Sequence, residues 1–441
     1  MRRFWQKIMA CLGLFLLAGS FFSRTALAAD AAVDTGDTAW VLMAAGLVLF
    51  MTPGLAFFYG GLVRRKNILS ILMQCFFMIC LITLQWVLFG YSLSFGPDIK
   101  GLIGDLSWLG LKGVGLAPNP DYAATIPHQG FMIYQAMFAV ITPALILGAF
   151  AERMKFPAFC VFSLLWATLV YNPVCHWVWA VGGFLRNSGA LDFAGGTVVH
   201  INAGIAALAS ALILGRRKGY PHHISPPHNL PFAVLGAGML WFGWFGFNGG
   251  SALGANGLAV NAFVVTHVAA ADAGLTWALL DWKFNAHPTM LGMITGAVAG
   301  LVAITPAAGF VGPMDAICIG IGVSVICYFF VAVIKPKLGY DDSLDAFGVH
   351  GVGGIWGALA TGLWASKVVN PAGADGLFYG NPALVWIQLK AVVVTVVYSF
   401  VVSIVLLKAV DLVFGLRVSE QDERIGLDLT QHREAGYTLL E

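Results

Sequence analysis

The chain has 441 residues, of which 59% are hydrophobic and only 10% charged, and its mean hydropathy is +0.82. Soluble domains carry about a quarter charged residues, so a soluble fold is excluded. The net charge of +2 comes from short scattered basic clusters, which excludes a nucleic-acid-binding face, and the seven cysteines show neither zinc spacing nor an exported disulfide framework.

At the N-terminus, Arg2, Arg3 and Lys7 precede an apolar stretch from Ile8 to Phe22, and Ala26-Leu27-Ala28 follows as a small-x-small cleavage site. That pattern predicts a secretory signal peptide over residues 1–28, a membrane domain over 29–415 and a polar tail over 416–441. Apolar runs of about twenty residues match a bilayer core of roughly 30 Å. They predict eleven spans, over 38–62, 68–95, 130–151, 156–182, 196–215, 229–250, 258–281, 288–308, 313–335, 346–366 and 384–414. The loops alternate in charge. One set carries Arg64, Arg65, Lys66, Arg153, Lys155, Arg216, Arg217, Lys218, Lys283, Lys335 and Lys337; the other carries only Lys100, Lys112, Arg186 and Lys367. The positive-inside rule makes the first set cytoplasmic, with the mature N-terminus outside and the C-terminus inside.

Two stretches repeat. "DFAGGTVVHINAG" (Asp192 to Gly204) and "DSLDAFGVHGVGG" (Asp342 to Gly354) each place an Asp eight residues before a His flanked by glycine. "TPGLAFFYGG" and "GWFGFNGG" echo each other as well. Spans one to five and six to ten therefore read as two copies of one unit, and because five is odd the second copy is inverted, which sets a substrate site near the midplane. His200 then lies about 12 Å inside the outer end of its span, and His350 about 12 Å inside the inner end of its own. Ionisable groups at that depth are costly and mark function. No carboxylate joins the pair at midplane, so a metal centre lacks further ligands. A pore lining is the favoured reading. Haem between two helices is the rival, for which the surrounding glycine leaves little room.

The segments "GALDFAGGTVVHINAG", "WFGFNGGS", "FGVHGVGGIWG", "PGLAFFYGGLVRRKN", "GAFAER" and "GLRV...D...GLD" together resemble the ammonium transporter family (Amt/Mep/Rh), in its bacterial Amt branch. The resemblance implies an all-α polytopic membrane protein, with eleven transmembrane helices in two inverted five-helix repeats plus a final helix. It implies a homotrimer in the bacterial inner membrane, one pore per subunit, with no cofactor, no metal and no enzymatic activity. Ammonium would be recruited by Phe138, Trp179 and Ser251, below which Phe138 and Phe247 would stack to close the pore. His200 and His350 would line the pore, and Asp192 would stand near the vestibule as a charge or helix cap. Ammonium would lose its proton near the vestibule and ammonia would pass the histidines, the proton following. The tail would dock on the cytoplasmic face, touch a neighbouring subunit and communicate with a PII-type signalling protein.

The remaining polar residues are expected to be structural. Tyr134, one turn before Phe138, stands where an apolar aromatic is common in the family and bears on vestibule polarity; Glu152 and Arg153 are expected to form an ion pair or a topology signal; His222, His223 and His228 to be solvated; and Asp341, Asp342 and Asp345 to cap span ten, Asp342 with a structural role at the inner pore mouth. Gly415, Gly426 and Gly436, with Leu416, Val418, Ile425, Leu427 and Leu429 as apolar anchors, predict a docked tail.

Overall fold

The computed structural model describes residues 33–222 and 226–437; the signal-peptide expectation and His223 lie outside the described residues. Among the described residues, nine helices are long and apolar enough to cross a membrane. They are Thr35–Leu62, Arg65–Phe95, His128–Phe150, Phe156–Asn187, Gly196–Leu214, Leu230–Ala252, Gly257–Asn285, Pro313–Leu338 and Ala383–Phe414. Met290–Ile304 is a shorter apolar helix, and residues 347–364 form another helical stretch whose first turn is widened. Each falls on a segment expected from hydropathy.

Two boundaries move for local reasons. The stretch expected to run to 308 stops at Ile304, because Pro306 has no amide to continue the ladder and its carbonyl instead accepts from Phe193 N at 3.1 Å. The stretch expected to run to 182 leaves regular α-helix after Trp179, where the chain folds back so tightly that a Cβ on Gly183 would lie 2.1 Å from the His176 carbonyl. The segment between the second and third helices, featureless in the sequence, forms two short antiparallel pairs, Asp98–Ile99 with Ile103–Gly104 and Pro118–Asn119 with Ala123–Pro127.

His128–Phe150 runs through the middle of the bundle and is buried along nearly its whole length. Around it, small residues let backbones touch, which is how helices associate where lipid supplies no hydrophobic drive. The contact that matters most lies between the two histidine-bearing helices. A Cβ on Gly204 would stand 2.1 Å from Gly351 N, so only glycine permits this crossing.

Candidate functional site

His200 lies in a π-helical turn, Gly196–Ile201, and His350 in another, Phe347–Gly351. Single π turns inside α-helices concentrate at functional positions. Each turn is capped by the Asp eight residues before its histidine. Asp192 Oδ1 accepts from Gly195 N at 2.8 Å and Gly196 N at 2.7 Å, and Oδ2 from Thr197 N at 2.8 Å and Val198 N at 3.1 Å. Burial pushes its carboxyl pKa up, against the pull of these four donors. Asp342 repeats the arrangement, accepting from Ala346 N at 3.1 Å and Phe347 N at 2.7 Å. Burial drives its pKa to about 6, with Lys335 opposing and Asp345 adding to the rise. The repeated spacing is thus a cap-to-ring spacing, and it brings the rings together. The two Nδ1 atoms are 3.3 Å apart, with ring centroids 5.3 Å apart and planes within 18°. Trp244 stacks on the other side of His200 at 5.3 Å, and His200 Nε2 is buried with no protein partner.

Three cavities bear on the histidine pair and its approach, and the two smaller ones share Phe58, Val298 and His350. The outermost, about 450 Å³, is lined by Gln135, Trp179, Arg186, Asp192 and Ser251 among others. Two small ones, about 10 Å³ each, follow. That is roughly the space one water needs. The upper is bounded by Phe247, Trp244, His200 and His350; the inner by Phe58, Tyr59, Thr295, Asp345 and His350. His350 faces both.

Between the outer and upper cavities stand Phe138 and Phe247, fully buried, 4.3 Å apart and tilted by 41° rather than stacked in parallel. Phe138 also meets Trp179 edge to face at 5.7 Å. Trp179 is fixed at both ends: Nε1 donates to the Asp192 carbonyl at 2.8 Å, and its own carbonyl accepts from Arg186 at 2.5 Å. Ser251 Oγ donates to the Phe247 carbonyl at 2.8 Å and has two lone pairs, one of which faces the Tyr134 hydroxyl at 3.1 Å. Tyr134 does not set vestibule polarity. It is fully buried, with its hydroxyl turned to the Gly246 and Phe247 carbonyls and Ser251 Oγ. Gln135, absent from the sequence reading, lines the outer cavity and has a buried Oε1 with no partner; a glutamine three residues before Phe138 in an apolar run was the available signal.

A model of the Ammonium Transporter Family matches residues 39–437. The chain belongs to the ammonium transporter family. The family is one of transporters, not enzymes. The transporter is 55% identical over 405 residues to the ammonium transporter of Bacillus subtilis, covering 92% of this chain and 99% of that one. It is 51% identical over 434 residues to the ammonium transporter of Aquifex aeolicus, covering 98% and 100%. Among solved structures it resembles Candida albicans Mep2, at 38% identity and a TM-score of 0.84, covering 89% of this chain and 88% of that one. It also resembles a sensor Amt protein, at 31% identity and a TM-score of 0.83, covering 90% and 98%.

The end of the transporter that carries Arg64, Arg153 and Arg217 departs from the sequence reading. Glu152 and Arg153 do not pair with each other. Glu152 accepts from Arg64 Nε at 3.0 Å and Asn67 Nδ2 at 2.8 Å and faces Arg217 at 3.4 Å; burial would raise its pKa, but the two guanidiniums outweigh it and hold it low. Arg153, its pKa lowered to about 10 by burial, instead donates to the carbonyls of Ala149, Gly215 and Asp341 and to Ser343 Oγ. Asp341 is not a cap either: it forms a bidentate pair with Arg217, while Asp345 pairs with Lys335 at 2.6 Å.

The tail docks on this network. Val418 N donates to the Arg153 carbonyl at 3.0 Å, Leu427 N to Asn67 Oδ1 at 2.8 Å, and Asp428 Oδ1 accepts from Ser70 N at 2.8 Å. Leu416, Val418 and Leu427 are buried as expected; Ile425 and Leu429 remain exposed. His228 is not free in solvent, since its Nδ1 donates to the Val63 carbonyl at 2.8 Å and its Nε2 accepts from Tyr437 of the tail at 3.0 Å.

Proposed function

We propose that the protein recruits ammonium from outside at an aromatic site, deprotonates it there, and conducts ammonia past the twin histidines into the cytoplasm, a proton following. The observation that carries this reading is the His200–His350 contact between the two small cavities. Ammonium and potassium have similar size and the same charge, so a sieve cannot separate them; hydrogen-bond donors and a removable proton can. Ring faces of Phe138 and Trp179 attract a cation by about 0.5–2 kcal/mol per contact. The remaining lone pair of Ser251 Oγ then favours a cation that donates. Beyond the phenylalanines an intact ion meets an apolar lining and a desolvation cost of several kcal/mol or more, which ammonia escapes.

The histidine contact has a chemical consequence. A hydrogen bond between two Nδ1 atoms requires one to carry a proton and the other to be bare. The pair therefore always offers one Nε2 acceptor and one Nε2–H donor, which suits ammonia with its lone pair and N–H groups. When the bare Nε2 takes up a proton, the shared proton crosses between the Nδ1 atoms and the other Nε2–H releases its own; the two roles exchange and one proton has been relayed.

We further assign eleven spans in two inverted halves, supported by the matching capped π turns, and a bacterial inner-membrane location with the tail inside. Arg64, Arg153, Arg217 and Lys218 gather with the tail at one end, in accord with the charge of the loops. A homotrimer is supported by the outer surface of Gly257–Asn285. There His267 is exposed and Asp272 half-buried, about halfway along the helix, where lipid is a poor neighbour for ionisable groups. By contrast Ala383–Phe414 exposes a ridge of Trp386, Val393, Val397, Val401 and Val405 that suits lipid.

The function is tested by current on solid-supported membranes after an ammonium jump, with a potassium jump as control; equal responses to both would overturn it. Trp179→Leu is expected to raise the external ammonium needed for half-maximal current by roughly 2- to 30-fold, the loss of one ring-face contact. An unchanged concentration dependence would remove Trp179 from recruitment. Deleting the residues after Leu416 is expected to lower the current and abolish capture of a PII-type protein while trimers still insert. The docked contacts bias the inner loops in a way a missing tail cannot. Wild-type current and capture in the truncated trimer would show the tail to be passive.

A further inference from the structure

Resting on the ammonia-conduction reading above, we propose that Lys335 and Asp345 form an exit gate at the inner end of the conduit, the Lys335 ammonium group occupying a cation position that newly formed ammonium must take over. Asp345 is the one carboxylate lining the innermost cavity, across which it shares the wall with His350. It stands at the start of the helical stretch that carries that histidine, its carbonyl accepting from Val349 N at 2.9 Å. Its backbone is left-handed, φ 58°, a conformation that is costly for a residue with a Cβ. The carboxylate is not empty: Lys335 Nζ, from the neighbouring Pro313–Leu338 helix, sits 2.6 Å from Oδ1. The Lys335 side chain is only 13% exposed, and no other side-chain hydrogen bond of Lys335 is found among the described residues. Asp342, the other nearby carboxylate, has its oxygens committed to the Ala346 and Phe347 amides.

An alkylammonium with three N–H donors is the closest side-chain equivalent of the cargo ion. Ammonia arriving past His350 takes a proton from water at the inner face through its nitrogen lone pair; an N–H bond forms as a water O–H bond breaks, the hydroxide is neutralised by the proton that follows the ammonia, nothing is oxidised or reduced, and a cation appears beside Asp345. While the cavity is empty, Lys335 holds the carboxylate. Because it is tethered, it competes at an effective concentration on the order of millimolar or above. Internal ammonium or potassium thus finds the position filled, whereas ammonium delivered through the conduit is produced against it and displaces the lysine outward. The pair favours release over return. A bare Asp345 would instead trap internal cations.

The test uses the full-length transporter in right-side-out vesicles loaded with potassium or ammonium, comparing wild type, Lys335→Met, Asp345→Asn and the double variant. Trimer integrity is checked first by size-exclusion chromatography. Ammonium-jump current in wild type is expected to be little affected by internal cation. Lys335→Met should become sensitive, with a half-inhibitory internal concentration at least about tenfold lower, as removal of a tethered competitor requires. Asp345→Asn and the double variant should be insensitive. Lys335→Met with wild-type sensitivity, or inhibition persisting in the double variant, would overturn the gate. So would an Asp345→Asn variant that gains sensitivity, an outcome readable even if Lys335→Met fails to assemble. Loss of selective ammonium current in wild type itself would instead refute the conduction reading.

Discussion

Replacing His200 and His350 together with leucine is expected to reduce the ammonium-evoked current by about 10- to 100-fold and to weaken discrimination against potassium, while the protein still folds and inserts. The rings supply the polar Nε2 atoms in a cavity otherwise lined by Leu240, Trp244, Phe247 and Val298. Stranding a polar species beside lost hydrogen-bonding partners costs about 1–3 kcal/mol. At roughly 1.4 kcal/mol per tenfold, that is the loss expected in rate. Folding should survive because leucine is close to histidine in size and Trp244, already stacked on His200, packs against it as readily. Proton-coupled movement should be lost more completely than ammonia permeation, since leucine neither accepts nor relays a proton. Unchanged currents together with unchanged potassium discrimination in the double variant would dismiss the histidines as conduit residues.

Asp192→Ala is expected to damage both stability and recruitment. Four buried backbone N–H groups lose their acceptor at once. Leaving one buried donor unsatisfied costs about 1–3 kcal/mol, so the sum exceeds what an ordinary surface substitution does several-fold, even after relaxation. The Asp192 carbonyl also anchors the Trp179 indole, so a shifted loop carries with it the ring proposed to recruit ammonium. Thermal unfolding of the detergent-purified protein should move to clearly lower temperature, and half-maximal current should require more external ammonium. Asp192→Asn retains one acceptor oxygen and should fall between the two. A wild-type melting temperature and concentration dependence in the alanine variant would show that the carboxylate is a bystander.

Much of this was legible in the chain itself, for a physical reason. A lipid-spanning helix must satisfy its backbone within the segment and match the bilayer in length, so spans announce themselves as apolar runs. The Asp-to-His spacing, repeated in both halves, was visible because it is local: the carboxylate caps the turn that holds the ring. The tail's docking was readable from leucines that a solvated segment would not need, although Ile425 and Leu429 turned out to stay exposed.

Partners across helices were not legible. Glu152 and Arg153 are adjacent in sequence, yet they point into different networks because Glu152 has φ 73° and turns its side chain toward Arg64. Nothing local says that Tyr134 turns inward to the Gly246 and Phe247 carbonyls while Gln135 next to it lines the cavity. Nor could hydropathy place Trp244 against His200, or Lys335 on Asp345. The meeting of the two histidines is the clearest division between the levels. The sequence by itself determined that each ring lies deep in its helix behind a capping aspartate. Only the tertiary structure decided that they touch, because Gly204 lets its helix approach the backbone at Gly351 to a distance no side chain would allow.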